Sequence, residues 1–286
     1  MKLARKPDID IGRRLLKARF RGDWPGPVGA LLEASGLGAP LASVARVIVM
    51  PNLVEALKPP ITTPVGIVEA AVDFIATAAP KAEIIVADGT GSLDYDTFHC
   101  FDELGYTDMA HRMEDRGVRL MDLNTEPTVC LSPPGLKAWP EIHLPKIIME
   151  SYLISIPVLK AHTLSGVTLT MKNMFGAAPP EFYQQGGNWR KSAFHERIHE
   201  SVFDVNLCRT PDFTLLDATV GMSTAHLWGP ECDPPVGLIV CGFDPVAIDA
   251  CGTELLGRDP DSIGHIVMAN GVIGNSAYEE VVEIDY

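Results

Sequence analysis

Short apolar runs rich in β-branched residues recur along the chain: RVIVM at 46–50, EIIVA at 83–87, VRLMD at 118–122, YLISIP at 152–157, FTLLDA at 213–218 and GLIVCG at 237–242. Segments of helical period separate the first three, at 65–78 and from about 98 to 114, and Pro245 opens a further helix that runs to about Leu256. Strand, helix, strand, helix, strand at this spacing predicts right-handed crossovers. The expected fold is α/β, a mostly parallel or mixed sheet with helices on both faces, in one body or two intertwined lobes.

Two stretches break the pattern. A Pro-rich segment at 125–145 reads as an irregular excursion or a small strand addition. In the first 21 residues Lys and Arg far outnumber the two aspartates, and this start reads as a basic arm, spanning 1–40, or as a helix packed through Leu15, Leu16 and Phe20. The expected organisation is this arm followed by one α/β domain over 41–286.

Charge narrows the partners. The formal net charge is −14, so the field of the molecule repels polyanions and nucleic acid is not an expected partner. No apolar run reaches the roughly 20 residues that span a bilayer, and no signal-peptide pattern is present, so the expectation is a cytoplasmic protein without a membrane partner. A small-molecule ligand is the expected partner, and a homo-oligomer is left open. The cysteines at 100, 130, 208, 232, 241 and 251 form no C-x-x-C pair, so neither an iron-sulfur cluster nor a zinc knuckle is expected. Cys241 and Cys251 read as core, and Cys232 as the thiol most open to solvent.

The chemistry gathers in PVLKAHTLSGVTLTMKNMFG, residues 157–176. Parallel sheets place ligands just beyond the carboxyl ends of their strands. Lys160 and His162 fall there after YLISIP, and a helical pattern from Gly166 would carry Thr168, Lys172 and Asn173. Taken singly, Lys160 snorkels, His162 caps a carbonyl and Lys172 sits on an exposed helix face. Taken together, several cations in an apolar setting call for an anionic ligand or carboxylate partners.

Other segments add candidates. FHERIHESVFD sets His195 and His199 four apart with Glu196, Glu200 and Asp204 nearby, a pair able to share a divalent metal, and its H-E-x-x-H spacing also matches a metalloprotease helix. Asp217 ends a strand, Asp244 reads as a helix N-cap, and Asp249 one turn later could balance a lysine of the opening stretch. ADGTGSLDYDT at 87–97 reads as an anion-gripping turn, as a turn stabilised by Asp88 and Asp94, or as a cation site of Asp88, Asp94 and Asp96.

ISIPVLKAHTLSGVTLTMKNMFG, with VMPNLV at 49–54, LLDATVGM at 215–222 and DPVAIDA at 244–250, resembles the family called domain of unknown function 362, in the family's order of motifs. Where members often read Lys-Pro-Asn, this chain has Met50 before Pro51 and Asn52, and the ferredoxin-like cysteines that many members carry are missing. The spacing of His162, Gly166 and Lys172 is also similar to that of the lactate racemase family, although the glycine pair before that family's lysine is replaced near Thr170 and Met171. This resemblance implies a nickel-pincer nucleotide tethered at Lys172, His162 as acid/base, and hydride transfer at an α-hydroxy acid. The resulting expectation is an enzyme with a carboxylate or phosphate site built from His162, Lys172, Lys160, Asn173, Thr168, Asp217 and Asp249, and a metal at His195 and His199. The alternatives are a non-catalytic metal- or metabolite-binding accessory protein and an interaction scaffold.

Overall fold

The apolar runs become the middle of a ten-stranded mixed sheet. The structure, a computed structural model, describes residues 14–286. In chain order the strands are β1 (Arg14–Arg19), β2 (Arg46–Pro51), β3 (Glu83–Asp88), β4 (Val118–Asp122), β5 (Thr128–Leu131), β6 (Ile142–Pro145), β7 (Tyr152–Ile156), β8 (Val158–His162), β9 (Gly166–Thr168), β10 (Phe213–Met222), β11 (Leu238–Gly242) and β12 (Glu280–Glu283). The helices are α1 (Pro25–Ala34), α2 (Gly38–Leu41), α3 (Val65–Ala78), α4 (Thr97–Glu103), α5 (Tyr106–Arg112), α6 (Lys146–Met149), α7 (Thr170–Asn173), α8 (Pro180–Tyr183), α9 (Ile198–Cys208), α10 (Pro245–Leu255) and α11 (Gly264–Ala269).

The main path of the sheet is β12-β1-β11-β10-β7-β2-β3-β4. Strands β10, β7, β2, β3 and β4 run parallel, as the crossover spacing predicts, and β11 and β10 are antiparallel. Strand β2 shows why both faces must be covered, since successive side chains point to opposite sides. Val47 and Val49 enter one apolar layer with residues of α1 and α3, while Ile48 and Met50 enter the other with residues of α9, α10 and α11.

Several local expectations change. The N-terminal helix is instead strand β1, with Leu15 and Leu16 buried on opposite faces, between β12 and β11. Residues 1–13 of the expected basic arm lie outside the described residues. The single helix expected from 98 to 114 divides at Gly105, whose φ of 80° is left-handed, into α4 and α5. The Pro-rich segment forms the two-stranded hairpin β5–β6. Among the described residues, no helix is long and apolar enough to cross a membrane.

Candidate functional site

The site lies where the sheet forks. Strand β10 pairs with β7 through Phe213 and Thr214, then with β8 through Asp217 and Met222. Pro157 stands between β7 and β8, offers no N–H to a ladder, and accepts the Asp217 N–H through its carbonyl at 2.9 Å. Beyond the fork the chain does not enter a loop and a helix, as the apolar period suggests. It extends as β8, turns back at 163–165 into β9, and only then winds into α7. Gly166 closes this hairpin at φ +74°. Lys160 and His162 are therefore strand residues two apart, on one face, and both are buried.

That face walls a cavity of about 400 Å³, lined among others by Asn52, Asp88, Lys160, His162, Thr168, Lys172, Asn173, Lys191, His195 and His226. Three amines meet there with one carboxylate. Lys160 Nζ donates to Asn52 Oδ1 at 2.8 Å and to the Ile61 carbonyl at 2.5 Å. Lys191 Nζ donates to the carbonyls of Gly89 at 2.6 Å and Gly176 at 2.9 Å. Among the described residues Lys172 finds no hydrogen-bond or ion-pair partner, and its Nζ lies 5.3 Å from the centre of the Phe175 ring. Burial lowers all three amines, Lys160 to about 7 and Lys172 and Lys191 to about 8, with Lys172 depressing Lys160 further. Asp88 is raised by burial to about 6, against the pull of Lys191, and its oxygens accept the N–H groups of Leu53 and Gly89. A side chain at Gly176 would collide with that carboxylate, so only glycine lets α7's trailing turn close over it.

The imidazoles complete the wall. His162 Nδ1 accepts two backbone N–H groups, from Leu164 at 3.0 Å and Ser165 at 3.2 Å. An acceptor nitrogen carries no proton, so neutral His162 bears its hydrogen on Nε2, which is buried without a partner. His226 stacks on His162 with centroids 4.1 Å apart, and the centroid of His195 stands 6.2 Å from that of His162. Among the described residues, His195 Nδ1 and His226 Nδ1 are likewise buried without a hydrogen-bond partner. Burial, then the charge of Lys172, lowers all three rings, His162 far below the ordinary histidine range and His226 to about 3.

Other candidates go elsewhere. Asn173 lines the cavity but is committed to the fold: its Nδ2 donates to Ser155 Oγ at 3.0 Å, and its Oδ1 accepts from Asn52 at 2.8 Å. Asp249 does not balance a lysine. Its two oxygens accept the N–H groups of Thr170 at 2.7 Å and Met171 at 3.0 Å, fixing the start of α7. Asp217 bonds Thr219 instead of reaching the rim, and Asp244 caps α10 as expected. His195 and His199 do not share a helical face, because the backbone turns out of helix at Arg197 (φ −128°, ψ 63°). His195 faces the cavity, whereas His199 Nδ1 lies 3.1 Å from Nδ1 of His265. The metalloprotease and shared-metal readings of this segment therefore fail. Asp96 caps α4 through His99 N, and among the described residues Asp88, Asp94 and Asp96 do not gather into a cation site. Cys130 is the exposed thiol and Cys232 is partly covered.

Lys191 and His226 escaped the sequence reading. His226 follows the carboxyl end of β10, the placement that singled out His162, and Lys191 stands four residues before His195.

Comparison with known proteins adds three findings. The family model described as domain of unknown function (DUF362) matches residues 47–254. The thylakoid-associated protein sll1697 of Synechocystis sp. is 29% identical over 127 residues, 43% of this chain and 38% of that protein. The lactate racemase apoprotein from Thermoanaerobacterium thermosaccharolyticum superposes with a TM-score of 0.50 at 13% identity, over 85% of this chain and 58% of that one. The chain thus spans less than two thirds of either protein's length, and the second likeness is one of fold.

Proposed function

We propose, for a chain that belongs to the DUF362 family, an enzyme that binds a small carboxylate or phosphate in the cavity and moves protons at a hydroxyl-bearing carbon, in racemisation or epimerisation or, where a bound cofactor accepts the hydride, in hydroxyl redox. The observation that carries this reading is the imbalance of the cavity wall: Lys160, Lys172 and Lys191 converge with Asp88 as the carboxylate among them, beside three imidazole nitrogens without hydrogen-bond partners. Buried cations of this kind are favourable once an anion neutralises them.

The rings divide the work by tautomer. With Nδ1 occupied by backbone donors, His162 offers an Nε2–H, a hydrogen-bond donor or acid toward substrate oxygen. His195, with no donor bound to its buried Nδ1, can offer a ring lone pair to the substrate as base. Lys172 orients the substrate's negative group, and the buried setting excludes water.

The nickel-pincer nucleotide of the lactate racemase family fits these residues in part. Lys172 is an unpaired amine held near neutrality, suited to a covalent or ionic tether, and His195 offers a metal-binding nitrogen. His162 is unsuited as a ligand, since Nε2 carries its proton. When bound, such a group supplies a hydride acceptor.

The test is native mass spectrometry with elemental analysis of protein purified without chelator, beside Lys172→Ala. An added mass or metal that disappears in the variant supports a tethered cofactor. A bare chain that binds small anions and turns over α-hydroxy acids supports the cofactor-free enzyme. Anion binding without turnover of any hydroxy acid leaves a binding protein and overturns the enzymatic reading.

A further inference from the structure

We propose that Cys130, Glu141 and His143 form a surface site for a divalent transition metal of the zinc type, apart from the cavity and independent of its reading. Strands β5 and β6 place the residues together: Cys130 stands directly opposite His143 in the antiparallel register, and Glu141 lies two positions before His143, on the same face. The thiol sulfur, carboxylate oxygen and ring nitrogen all lie within 4.8 Å of one another, and His143 Nε2 is 3.2 Å from Glu141 Oε1. A tetrahedral shell needs separations of roughly 3.4–3.6 Å, within reach of small rotations of the two exposed side chains.

The imidazole is already aimed. Its ring stacks on Phe182 with centroids 3.8 Å apart and planes 5° from parallel, while the backbone N–H of His143 donates to Tyr183 Oη at 2.6 Å and fixes the strand beneath it. A ring so held loses little freedom on binding. Thiolate, carboxylate and neutral imidazole together cancel the charge of a divalent ion, and the −14 net charge raises local cation concentration. Exposure of Cys130 and Glu141 leaves the fourth position to water. Binding exchanges the thiol proton for the metal, Cys-SH + M²⁺ → Cys-S⁻–M²⁺ + H⁺, with no change of oxidation state.

The test titrates Co²⁺ into the untagged full chain and follows thiolate-to-cobalt charge-transfer absorption. One equivalent of the band, one proton released per ion, loss of the band in Cys130→Ser and at least tenfold weaker binding in His143→Ala are expected, with Lys172→Ala unchanged. Absence of the band, or its persistence in Cys130→Ser, overturns the site. On the unaltered chain, Co²⁺ is expected to protect Cys130 from iodoacetamide, read by peptide mass, and lack of protection overturns it equally.

Discussion

The imidazoles of His162 and His226 stack with centroids 4.1 Å apart and 19° between their planes. Two such rings beside Lys172 cannot both carry charge in a buried site, so the fold requires them neutral. Below pH 6.5 the unfolded chain binds protons that the folded chain refuses, and stability contributed by these rings is lost as pH falls toward their folded values. Asp88 and Asp249, raised to about 6 and about 7, act in the opposite sense, so the difference between variants is the readout. His226→Phe keeps the stack and removes one titration. Its advantage over the natural chain in thermal unfolding is expected to grow by about 1–2 kcal/mol between pH 7 and pH 5, and an advantage that does not change would show that His226 protonates freely.

Among the described residues Lys172 has no hydrogen-bond or ion-pair partner to lose, only the face of the Phe175 ring. Lys172→Met is therefore expected to raise the stability of the anion-free protein by about 1–3 kcal/mol, as an apolar chain replaces an uncompensated cation. The same change removes stabilisation by millimolar phosphate or lactate, measured as the shift in Tm on adding the salt. A natural chain and variant that respond alike would remove Lys172 from the anion site.

Anion binding carries its own pH signature. Lys172 and Lys191 titrate at about 8 and Lys160 at about 7, all far below the ordinary lysine value. An anion favours their charged forms, so binding takes up protons and weakens as pH rises through this range. Affinity is expected to fall roughly tenfold or more between pH 7 and pH 9, with proton uptake visible as a buffer dependence of the calorimetric heat. A constant affinity across that interval would mean that the amines stay charged and are not the groups engaged.

Asp249 acts through α7. Its carboxylate satisfies two N–H groups at the start of the four-residue helix that carries Lys172 and Asn173. Asp249→Ala is expected to cost about 2–4 kcal/mol by leaving buried donors unmet, and Asp249→Asn less, because one oxygen remains. Chemical denaturation gives the cost. If Asp249→Asn recovers stability but not anion affinity, the carboxylate positions Lys172; if it recovers neither, its role is confined to the fold.

The strand positions were legible because β2, β3, β4 and β7 are apolar runs bounded by turns, and the α3 period is strong. The cavity was half legible. Lys160, His162 and Lys172 share one short segment, so composition alone marked it. Lys191, His226 and Asp88 reach the same space from three other segments, which only the packing joins. The helical period from Gly166 misled because Val167, Met171 and Met174 are buried by a hairpin followed by a short helix, a combination that mimics a longer helix in its apolar spacing. His195 and His199 misled for a related reason: four-residue spacing means one face only while the backbone stays helical, and it does not at Arg197.

The fork at Pro157 also limits how this chain can vary. Lys160 and His162 point into the cavity because they sit at even steps along β8, whereas Leu159 joins the apolar layer beneath. Insertion or loss of one residue between Pro157 and Lys160 would turn both amine and imidazole into the core and present Leu159 and Ala161 in their place. Variation in length is thus better tolerated in the stretch at 184–189, which borders the cavity ahead of Lys191, than in the turn at 163–165, whose N–H groups hold His162. Diversification of this scaffold can reshape what enters the cavity long before it can change the groups that meet it.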